Sequence, residues 1–206
     1  MMKTNSNSYT VIYSAVIVVI VAFLLAFVYQ VLKPRQDSNI ALDQKKQILY
    51  SLNIRGLDNN EAETEYNKVV KKGKVDGNDI YYCKVKGQTK YVIPMKGMGL
   101  WGGISGFIAV NADKSTVYGV YFNHESETAG LGAEIKDNLQ WQEQFQGKKL
   151  FDGSNRSKIA ISVQKKVTNP QTQVDAVTGA TLTSNGVTNM LRDCLGKYLK
   201  FFNSKE

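Results

Sequence analysis

The chain has 206 residues, of which 43% are hydrophobic and 21% are charged, and this composition is typical of a globular core with a solvated surface. Lysine and arginine outnumber aspartate and glutamate by 26 to 18, which gives a formal net charge of +8. The lysines are scattered, and no helix-turn-helix, zinc-finger or RNA-binding pattern is present, so the charge indicates a solvated basic surface and not a nucleic-acid partner.

An apolar segment near the amino terminus is the first predicted element. No charged residue occurs over residues 4–32, and residues 11–29 come close to the roughly 20 apolar residues that a helix needs to cross a bilayer. A cleaved signal peptide would have a shorter apolar run, and a buried core helix of this length would rarely lack a polar face. We therefore predict a transmembrane helix over residues 11–32, preceded by a tail of residues 1–10 and ended by Pro34.

The charges beside this segment do not decide its orientation. Lys3 lies on one flank, and Lys33, Arg35, Lys45 and Lys46 lie on the other. Counted alone, they favour a cytoplasmic carboxyl-terminal domain. The rule is weak when a long domain follows, because such domains cross the membrane largely regardless of charge.

A helical accessory segment is predicted over residues 33–78. Asn39 can cap a helix that runs to about Leu52, because apolar residues recur there at helical spacing. A second short helix is predicted over Asn60–Tyr66. A lysine-rich connector follows, and its lysines are Lys68, Lys71, Lys72 and Lys74.

From residue 79 onward the pattern changes to short strands joined by turns. Runs of β-branched and aromatic residues flank Gly87 and Asn111, which predicts two hairpins. Hairpins followed by helices predict an α+β fold with antiparallel β-hairpins and flanking helices, and not a doubly wound sheet. The predicted ranges are Ile80–Val85 with Tyr91–Pro94, Gly106–Val110 with Val117–Phe122, a short helix over Asp137–Phe145, a strand over Ile159–Val163, and a final helix from Ser184 to about Phe202.

Residues that commonly bind metals are scarce. Cys83 and Cys194 lie far apart without CxxC spacing, and His124 is the only histidine. A zinc or iron–sulfur site built within this chain is therefore not predicted. Cys194 lies on the apolar stripe of the final helix, which predicts a buried, inert thiol, while a disulfide between the two cysteines stays open.

The segment VDAVTGATLTSNGV, residues 174–187, is the most informative for chemistry. It is a turn of small residues that enters the final helix. Four of its residues present hydroxyl groups: Thr178, Thr181, Thr183 and Ser184. Free backbone N–H groups at a helix start can bind a phosphate, and the helix dipole favours its charge. On composition alone, an ordinary helix start capped by serine or threonine explains these residues more simply.

The sequence DAVTGATLT, residues 175–183, resembles the flavinylation motif D-x-x-[ST]-G-A-T-x-[ST] of the FMN-binding domain family. In that family the threonine after Gly-Ala forms a phosphoester with FMN, and the residue at this position is Thr181. Two earlier segments resemble the family in the same order: GMGLW at 97–101, and HESETAGLG at 124–132, which is similar to its E-T-x-G-L-G loop. Trp141 and Phe145 then supply the matching W-x-x-x-F pattern. Ala129 stands where the family commonly has proline, which makes this loop less rigid.

The resemblance implies covalently bound FMN on Thr181 and a cofactor site built from the loop and the motif. It implies neither a metal site nor a catalytic residue within this chain. The loop would approach the flavin or its ribityl chain, and apolar side chains would wall the site. The residues that it implies for FMN binding are Trp101, Glu127, Thr128, Gly130, Leu131, Gly132, Asp175, Val177, Thr178, Gly179, Ala180, Leu182 and Thr183.

Within the family, the GLW segment and the continuation LTSNGV resemble the FMN-carrying subunit of the Na⁺-translocating NADH:quinone oxidoreductase. The resemblance implies an electron-transfer subunit of a six-subunit complex that couples NADH oxidation and quinone reduction to Na⁺ export. It places the chain in the bacterial inner membrane, with residues 1–10 cytoplasmic and the FMN-binding domain, residues 79–206, periplasmic. It also implies a flavin transferase that attaches FMN, because a threonine hydroxyl is a weak nucleophile without a nearby base.

The chain is not expected to be active alone. It lacks the G-x-G-x-x-G pattern of a dinucleotide site, and its single uncharged span cannot form an ion path. Three alternatives remain: the FMN-carrying subunit of the related Rnf ferredoxin:NAD⁺ complex, a membrane-tethered binding module without redox chemistry, and a free-standing reductase with its own substrate.

Overall fold

The computed structural model describes residues 7–204, and the chain forms two compact units that divide between Asp43 and Gln44. The helix α1 (Asn7–Ser51) begins in the first unit and ends in the second. Within the described residues it is the one helix that is long and apolar enough to cross a membrane, with a mean hydropathy of 3.1 over its most apolar 18 residues. The predicted span of residues 11–32 lies inside it.

The predicted helix end at Pro34 and the predicted new start at Asn39 are wrong, because α1 continues through both. Proline in a helix interior removes one backbone hydrogen bond and costs about 3 kcal/mol. The helix nevertheless continues over 45 residues, with good helix formers such as Leu32 and Gln36 on either side of Pro34.

A five-stranded antiparallel sheet forms the centre of the second unit, and its strands follow one another in sequence order. They are β1 (Val70–Val75), β2 (Asn78–Val85), β3 (Gln88–Met98), β4 (Gly103–Asn111) and β5 (Val117–His124). Both predicted hairpins are confirmed, β2 with β3 and β4 with β5. The prediction of a lysine-rich connector is wrong, because Lys71, Lys72 and Lys74 lie in the edge strand β1. The backbone of β1 pairs with β2 from Val70↔Cys83 to Val75↔Asn78. Its outward-facing lysines are typical of exposed edge strands, because charge there discourages pairing with other chains.

One face of the sheet packs against α2 (Asn59–Val69) and the last residues of α1. The predicted second helix is thus confirmed. Asp58 caps it by accepting a hydrogen bond from Glu61 N at 2.8 Å, and Glu61 accepts one from Asp58 N at 3.1 Å. This reciprocal capping box satisfies two backbone N–H groups at the helix start. The apolar residues of this layer are Ile48, Leu49, Leu52, Ala62, Val69, Val70, Tyr81, Cys83, Val85, Val92, Phe107 and Ala109.

The opposite face carries the larger core and the remaining elements. These are α3 (Glu134–Asp137), α4 (Leu139–Glu143), β6 (Ser162–Gln164), β7 (Gln173–Asp175), α5 (Thr181–Gly196) and α6 (Leu199–Asn203). The α+β fold with an antiparallel sheet and flanking helices is confirmed.

Three predicted elements on this face differ from the structure. The helix over Asp137–Phe145 is split, because Asn138 adopts an extended conformation and caps α4 by accepting from Trp141 N at 3.0 Å. The final helix breaks after Gly196 into α5 and α6. The strand over Ile159–Val163 is shortened to β6, which pairs in parallel with the unpredicted strand β7. This pairing matters for function because β7 ends at Asp175, the first residue of the threonine motif.

Both cysteines are free thiols. Cys83 is buried, and burial raises the pKa of its thiol to about 12, so it stays protonated at neutral pH. The prediction that Cys194 is buried is wrong: it is half-buried, and its Sγ atom lies 3.5 Å from Lys96 N and 3.3 Å from Lys96 O.

Candidate functional site

The threonine motif forms a tight connection between β7 and α5. Gly179 has a positive φ of +75°, a conformation that glycine adopts without strain. Thr181 is the first residue of α5 and is exposed, so the helix starts three residues before the predicted Ser184. The hydroxyl of Ser184 instead accepts from Val177 N at 3.2 Å and holds the turn from within the helix. The motif therefore presents the Thr181 hydroxyl to solvent at a helix amino terminus.

The backbone N–H groups at this helix start have the arrangement that binds phosphate. Ala180, the residue before the helix, provides no side-chain cap, and Ser184 is the first residue whose N–H bonds back into the helix, to Ala180 O at 2.9 Å. The preceding N–H groups of residues 181–183 therefore have no partner within the helix. They point along the positive end of the helix dipole, where an anion is stabilised.

The carboxylate of Glu127 joins the three segments that resemble the family. Its Oε2 accepts a hydrogen bond from the Thr183 hydroxyl at 2.6 Å, and its Oε1 accepts one from Trp101 N at 2.9 Å. The backbone N–H of Glu127 donates to His124 Nδ1 at 3.2 Å. The loop of residues 124–132, the glycine-rich segment of residues 97–101 and the first turn of α5 are thus held together.

The charge state of Glu127 follows from these contacts. Burial acts to raise the pKa of this carboxyl, and it is outweighed by hydrogen bonds from Thr183, Trp101 and Leu100 and by the nearby His124, so that the pKa is lowered. Glu127 is therefore ionised at neutral pH.

We expect this lowered pKa to make the protein less stable in acid. A carboxyl group whose pKa is depressed by folding contributes stability above its unfolded-state pKa, and this contribution is lost as the pH falls through the folded-state value. The Glu127→Gln variant should therefore lose less stability than the wild type as the pH falls below about 4.3, the ordinary pKa of a glutamate. Thermal unfolding of both full-length proteins in detergent, followed by near-ultraviolet circular dichroism, checks this. Parallel pH curves for the two proteins would contradict it.

Glycines leave space for close packing around the same carboxylate. A Cβ atom at Gly99 or at Gly132 would overlap the Glu127 carboxylate. A Cβ atom at Gly186 would overlap Met98 O, and one at Gly97 would lie 2.8 Å from Met190 Cβ. The glycines of the GMG and GLG segments and of α5 thus allow these backbones to approach one another.

A groove of about 460 Å³ runs beside the motif. Residues Asp175–Thr178 line one side, and Gly130 and the α3–α4 region line the other. The backbone of Asp175 is fixed in this wall, because its carbonyl accepts from Trp141 Nε1 at 2.7 Å and its N–H donates to Gln144 Oε1 at 3.1 Å. The groove has a polar rim of amide and carboxyl side chains, which are Glu134, Asn138, Gln140 and Gln144.

Large apolar side chains are exposed on the same three segments. Trp101 is 66% exposed and Leu182 is 58% exposed, whereas such residues are normally buried. Met98, Leu100 and Leu131 are exposed as well. Exposed apolar side chains of this kind, next to a helix start with free N–H groups, are typical of a site that receives a ligand or a partner.

The structure brings the predicted FMN-binding residues into one region, where some of them are exposed and others are buried. Those exposed near Thr181 are Trp101, Thr128, Gly130, Leu131, Asp175, Thr178, Gly179 and Leu182. Those buried behind it are Glu127, Gly132, Val177, Ala180 and Thr183. Sequence reasoning did not identify the contributions of Gly99, His124 and Gln144, although Gly99 and His124 lie within the quoted segments. The hydroxyl of Ser184, predicted to be presented by the motif, is buried and accepts from Val177 N. Among residues 7–204 no group of three His, Cys, Asp or Glu side chains could hold a metal ion.

Comparison with known proteins gives the family. Residues 99–196 match the FMN-binding domain family. The NqrC protein of the Na(+)-translocating NADH-quinone reductase from Haemophilus ducreyi is 32% identical over 95% of this chain and 93% of its own length. The chain belongs to the NqrC family of these reductases. The corresponding protein of Neisseria meningitidis serogroup B is 35% identical over 75% of this chain and 62% of its own length.

Solved structures agree with this assignment. The crystal structure of the NqrC protein from Parabacteroides distasonis superposes with a TM-score of 0.76 at 36% identity, covering 85% of this chain and 98% of that one. The Shewanella oneidensis protein, at 20% identity and a TM-score of 0.65, covers 79% of this chain and 97% of its own and shares the fold. With the apolar helix α1, family membership supports a single-pass membrane protein that carries an FMN-binding domain.

Proposed function

We propose that this chain is the electron-transfer subunit that carries FMN, joined by a phosphoester bond to Thr181, in a membrane complex that couples NADH oxidation and quinone reduction to Na⁺ export. The observation that carries the proposal is the exposed Thr181 hydroxyl at the amino terminus of α5, inside a family-matched DAVTGATLT segment. The Rnf-type alternative is less favoured, because the relatives quoted above all belong to quinone reductases.

The residues around Thr181 fit an FMN phosphate. The free N–H groups of the first helical turn would hydrogen-bond the phosphate oxygens, and the helix dipole would stabilise the negative charge. The small residues Gly179 and Ala180 keep side chains away from this point. The exposed apolar side chains Trp101, Leu131 and Leu182 would cover one part of the flavin, and the groove beside Thr178 would receive another.

Attachment requires a second protein. In the proposed step the Thr181 oxygen forms a bond to the FMN phosphorus of FAD, the phosphoanhydride bond of FAD breaks, and AMP leaves while the hydroxyl proton is lost. A threonine hydroxyl needs a base or a metal to react in this way. The one histidine, His124, already accepts a hydrogen bond from Glu127 N. A Mg²⁺-dependent flavin transferase would therefore supply this activation.

Bound FMN would supply the redox chemistry, and the protein would supply position and surroundings. The residues of this chain hold the phosphate, exclude water on the apolar side and keep the site open to a partner subunit. The chain offers no dinucleotide pattern for NADH, and its one apolar span carries no charge for an ion path. NADH oxidation and Na⁺ movement therefore belong to other members of the six-subunit complex.

The proposed placement in the membrane follows the family. Residues 1–10 lie in the cytoplasm, residues 11–32 cross the inner membrane, and residues 79–206 form the FMN-binding domain on the periplasmic side, with residues 33–78 between them. A covalent bond is useful there, since no flavin pool outside the cytoplasm would replace a lost cofactor.

Denatured mass spectrometry tests the cofactor part of the proposal. The full-length chain is co-expressed with a flavin transferase, and a parallel sample is expressed without it. We expect the first sample alone to gain the mass of one FMN less one water. An unmodified mass in both samples would favour the non-redox binding module. Co-purification with further membrane subunits, and Na⁺-dependent quinone reduction by the complex, would distinguish the proposed complex from a free-standing reductase.

A further inference from the structure

Glu127 stands out as a buried anion at the meeting point of three segments. We propose that Glu127 is a positioning residue that fixes the first turn of α5 through Thr183, and so sets the position of Thr181, without binding the cofactor itself. The part that concerns flavin attachment rests on the proposed function. The structural part, a clasp made by Glu127 and Thr183, stands independently of it.

Burial and hydrogen bonding support a positioning role for Glu127 over direct contact with a ligand. Glu127 is 7% exposed, and both of its carboxylate oxygens accept hydrogen bonds from within the protein. Its partner Thr183 is 1% exposed, so the bond between them is shielded from water. Hydrogen bonds to an ionised carboxylate are about twice as strong as neutral ones, and removing one partner leaves an expensive unpaired charge.

Two glycines beside the Glu127 carboxylate leave the space that it occupies. Gly99 and Gly132 come from separate segments, and a Cβ atom on either would overlap the Glu127 carboxylate. Neither glycine has a positive φ, so backbone conformation does not explain why glycine occurs there. What the two positions share is the space that the carboxylate occupies.

The clasp reaches Thr181 through the first turn of α5. Thr183 lies two residues after Thr181, and its hydroxyl donates to Glu127 Oε2 at 2.6 Å. On the other side, Val177 N donates to the Ser184 hydroxyl and ties the preceding turn to the same helical turn. The loop end is fixed by the bond from Glu127 N to His124 Nδ1. Thr181 therefore lies between two anchored points and is itself exposed.

The test compares variants of the full-length protein in detergent. Thr183→Val removes the hydroxyl at nearly constant volume, and Thr183→Ser retains it. Glu127→Gln removes the charge, and Glu125→Gln is the matched control, because Glu125 is an exposed carboxylate two residues away that accepts from Gly103 N at 3.3 Å. One readout is amide hydrogen exchange of residues 99–102, between β3 and β4, in the unmodified chain. The other is the initial rate of covalent flavin attachment by the transferase with FAD.

We expect each of Thr183→Val and Glu127→Gln to speed amide exchange in residues 99–102 about tenfold and to slow flavin attachment about tenfold. Thr183→Ser and Glu125→Gln should stay within about twofold of the wild type. The double variant Glu127→Gln with Thr183→Val should be no worse than its worse single variant, because both changes remove one interaction. Exchange in β3 and β4 serves as the fold control.

The clasp would be overturned if Thr183→Val exchanged amides and accepted flavin at the wild-type rates. It would also be overturned if the effects of the two single changes added up in the double variant. A wild type that accepts no flavin would instead defeat the proposed function. In that case the exchange measurements still decide whether Glu127 and Thr183 hold residues 99–102 in place.

Discussion

Replacing Thr181 by alanine is expected to abolish covalent flavin while leaving the protein folded. The side chain is exposed at the first position of α5, so its loss should change the free energy of unfolding by no more than about 0.5 kcal/mol. The hydroxyl oxygen is the only atom that the proposed phosphoester requires from this residue. Ultraviolet illumination of a denaturing gel, after co-expression with the transferase, measures the covalent flavin directly.

Thr178→Ala is the matched control for this experiment. Thr178 is also exposed, lies in the same motif and lines the groove, but it precedes the helix. We expect this variant to retain covalent fluorescence at the end point, since it keeps the Thr181 hydroxyl beside the free N–H groups, although loss of the Thr178 side chain from the groove should slow attachment. Fluorescence that survives in Thr181→Ala and disappears in Thr178→Ala would move the attachment site to Thr178. If both variants lost fluorescence, and peptide mass spectrometry found Thr181 unmodified in the wild type, Thr181 would not be the attachment site.

Local sequence signals predicted the elements whose contacts are also local. The turns at Gly87 and Asn111 join strands that are neighbours in sequence, so each hairpin could be recognised from a short window. The helix α2 carries its own start signal in Asp58 and Glu61. The strand β1 was missed because its lysines hide the alternation of a strand, and only pairing with β2 makes it one. The strand β7 has three residues and pairs in parallel with β6, a contact that no local pattern encodes.

The candidate site shows the same limit. The motif around Thr181 is continuous in sequence, so a family resemblance could identify it. The bond between Glu127 and Thr183 joins residues 56 positions apart, and nothing in the loop sequence indicates that the carboxylate points inward. The family resemblance implies that Glu127 approaches the flavin or its ribityl chain. The structure shows that this residue is buried, which supports the positioning role proposed above. Which residues touch a ligand and which position them depends on burial, and burial is a property of the fold.

The packing of α5 against the glycine-rich segment leads to the second prediction, a large loss of stability in Gly186→Ala. The added Cβ atom would overlap Met98 O and lie 3.3 Å from Gly99 Cα. Both neighbours are backbone atoms, which cannot move aside as a flexible side chain can, so the helix must shift away from β3. We expect the free energy of unfolding to fall by about 3 kcal/mol, at the upper end for overpacked sites. Thermal unfolding of the full-length protein in detergent measures this change.

Gly196 offers a control within the same helix. A Cβ atom at Gly196 meets no other atom within 4 Å, so alanine there adds no clash and restricts the unfolded chain. Gly196→Ala should therefore leave stability unchanged or raise it by about 0.5 kcal/mol. Because Gly186 also lies five residues after Thr181, its replacement should slow flavin attachment, while Gly196→Ala should not. Equal stability of the two variants would mean that α5 does not pack against the backbone of residues 98–99. Close packing would then not explain why glycine occurs at position 186.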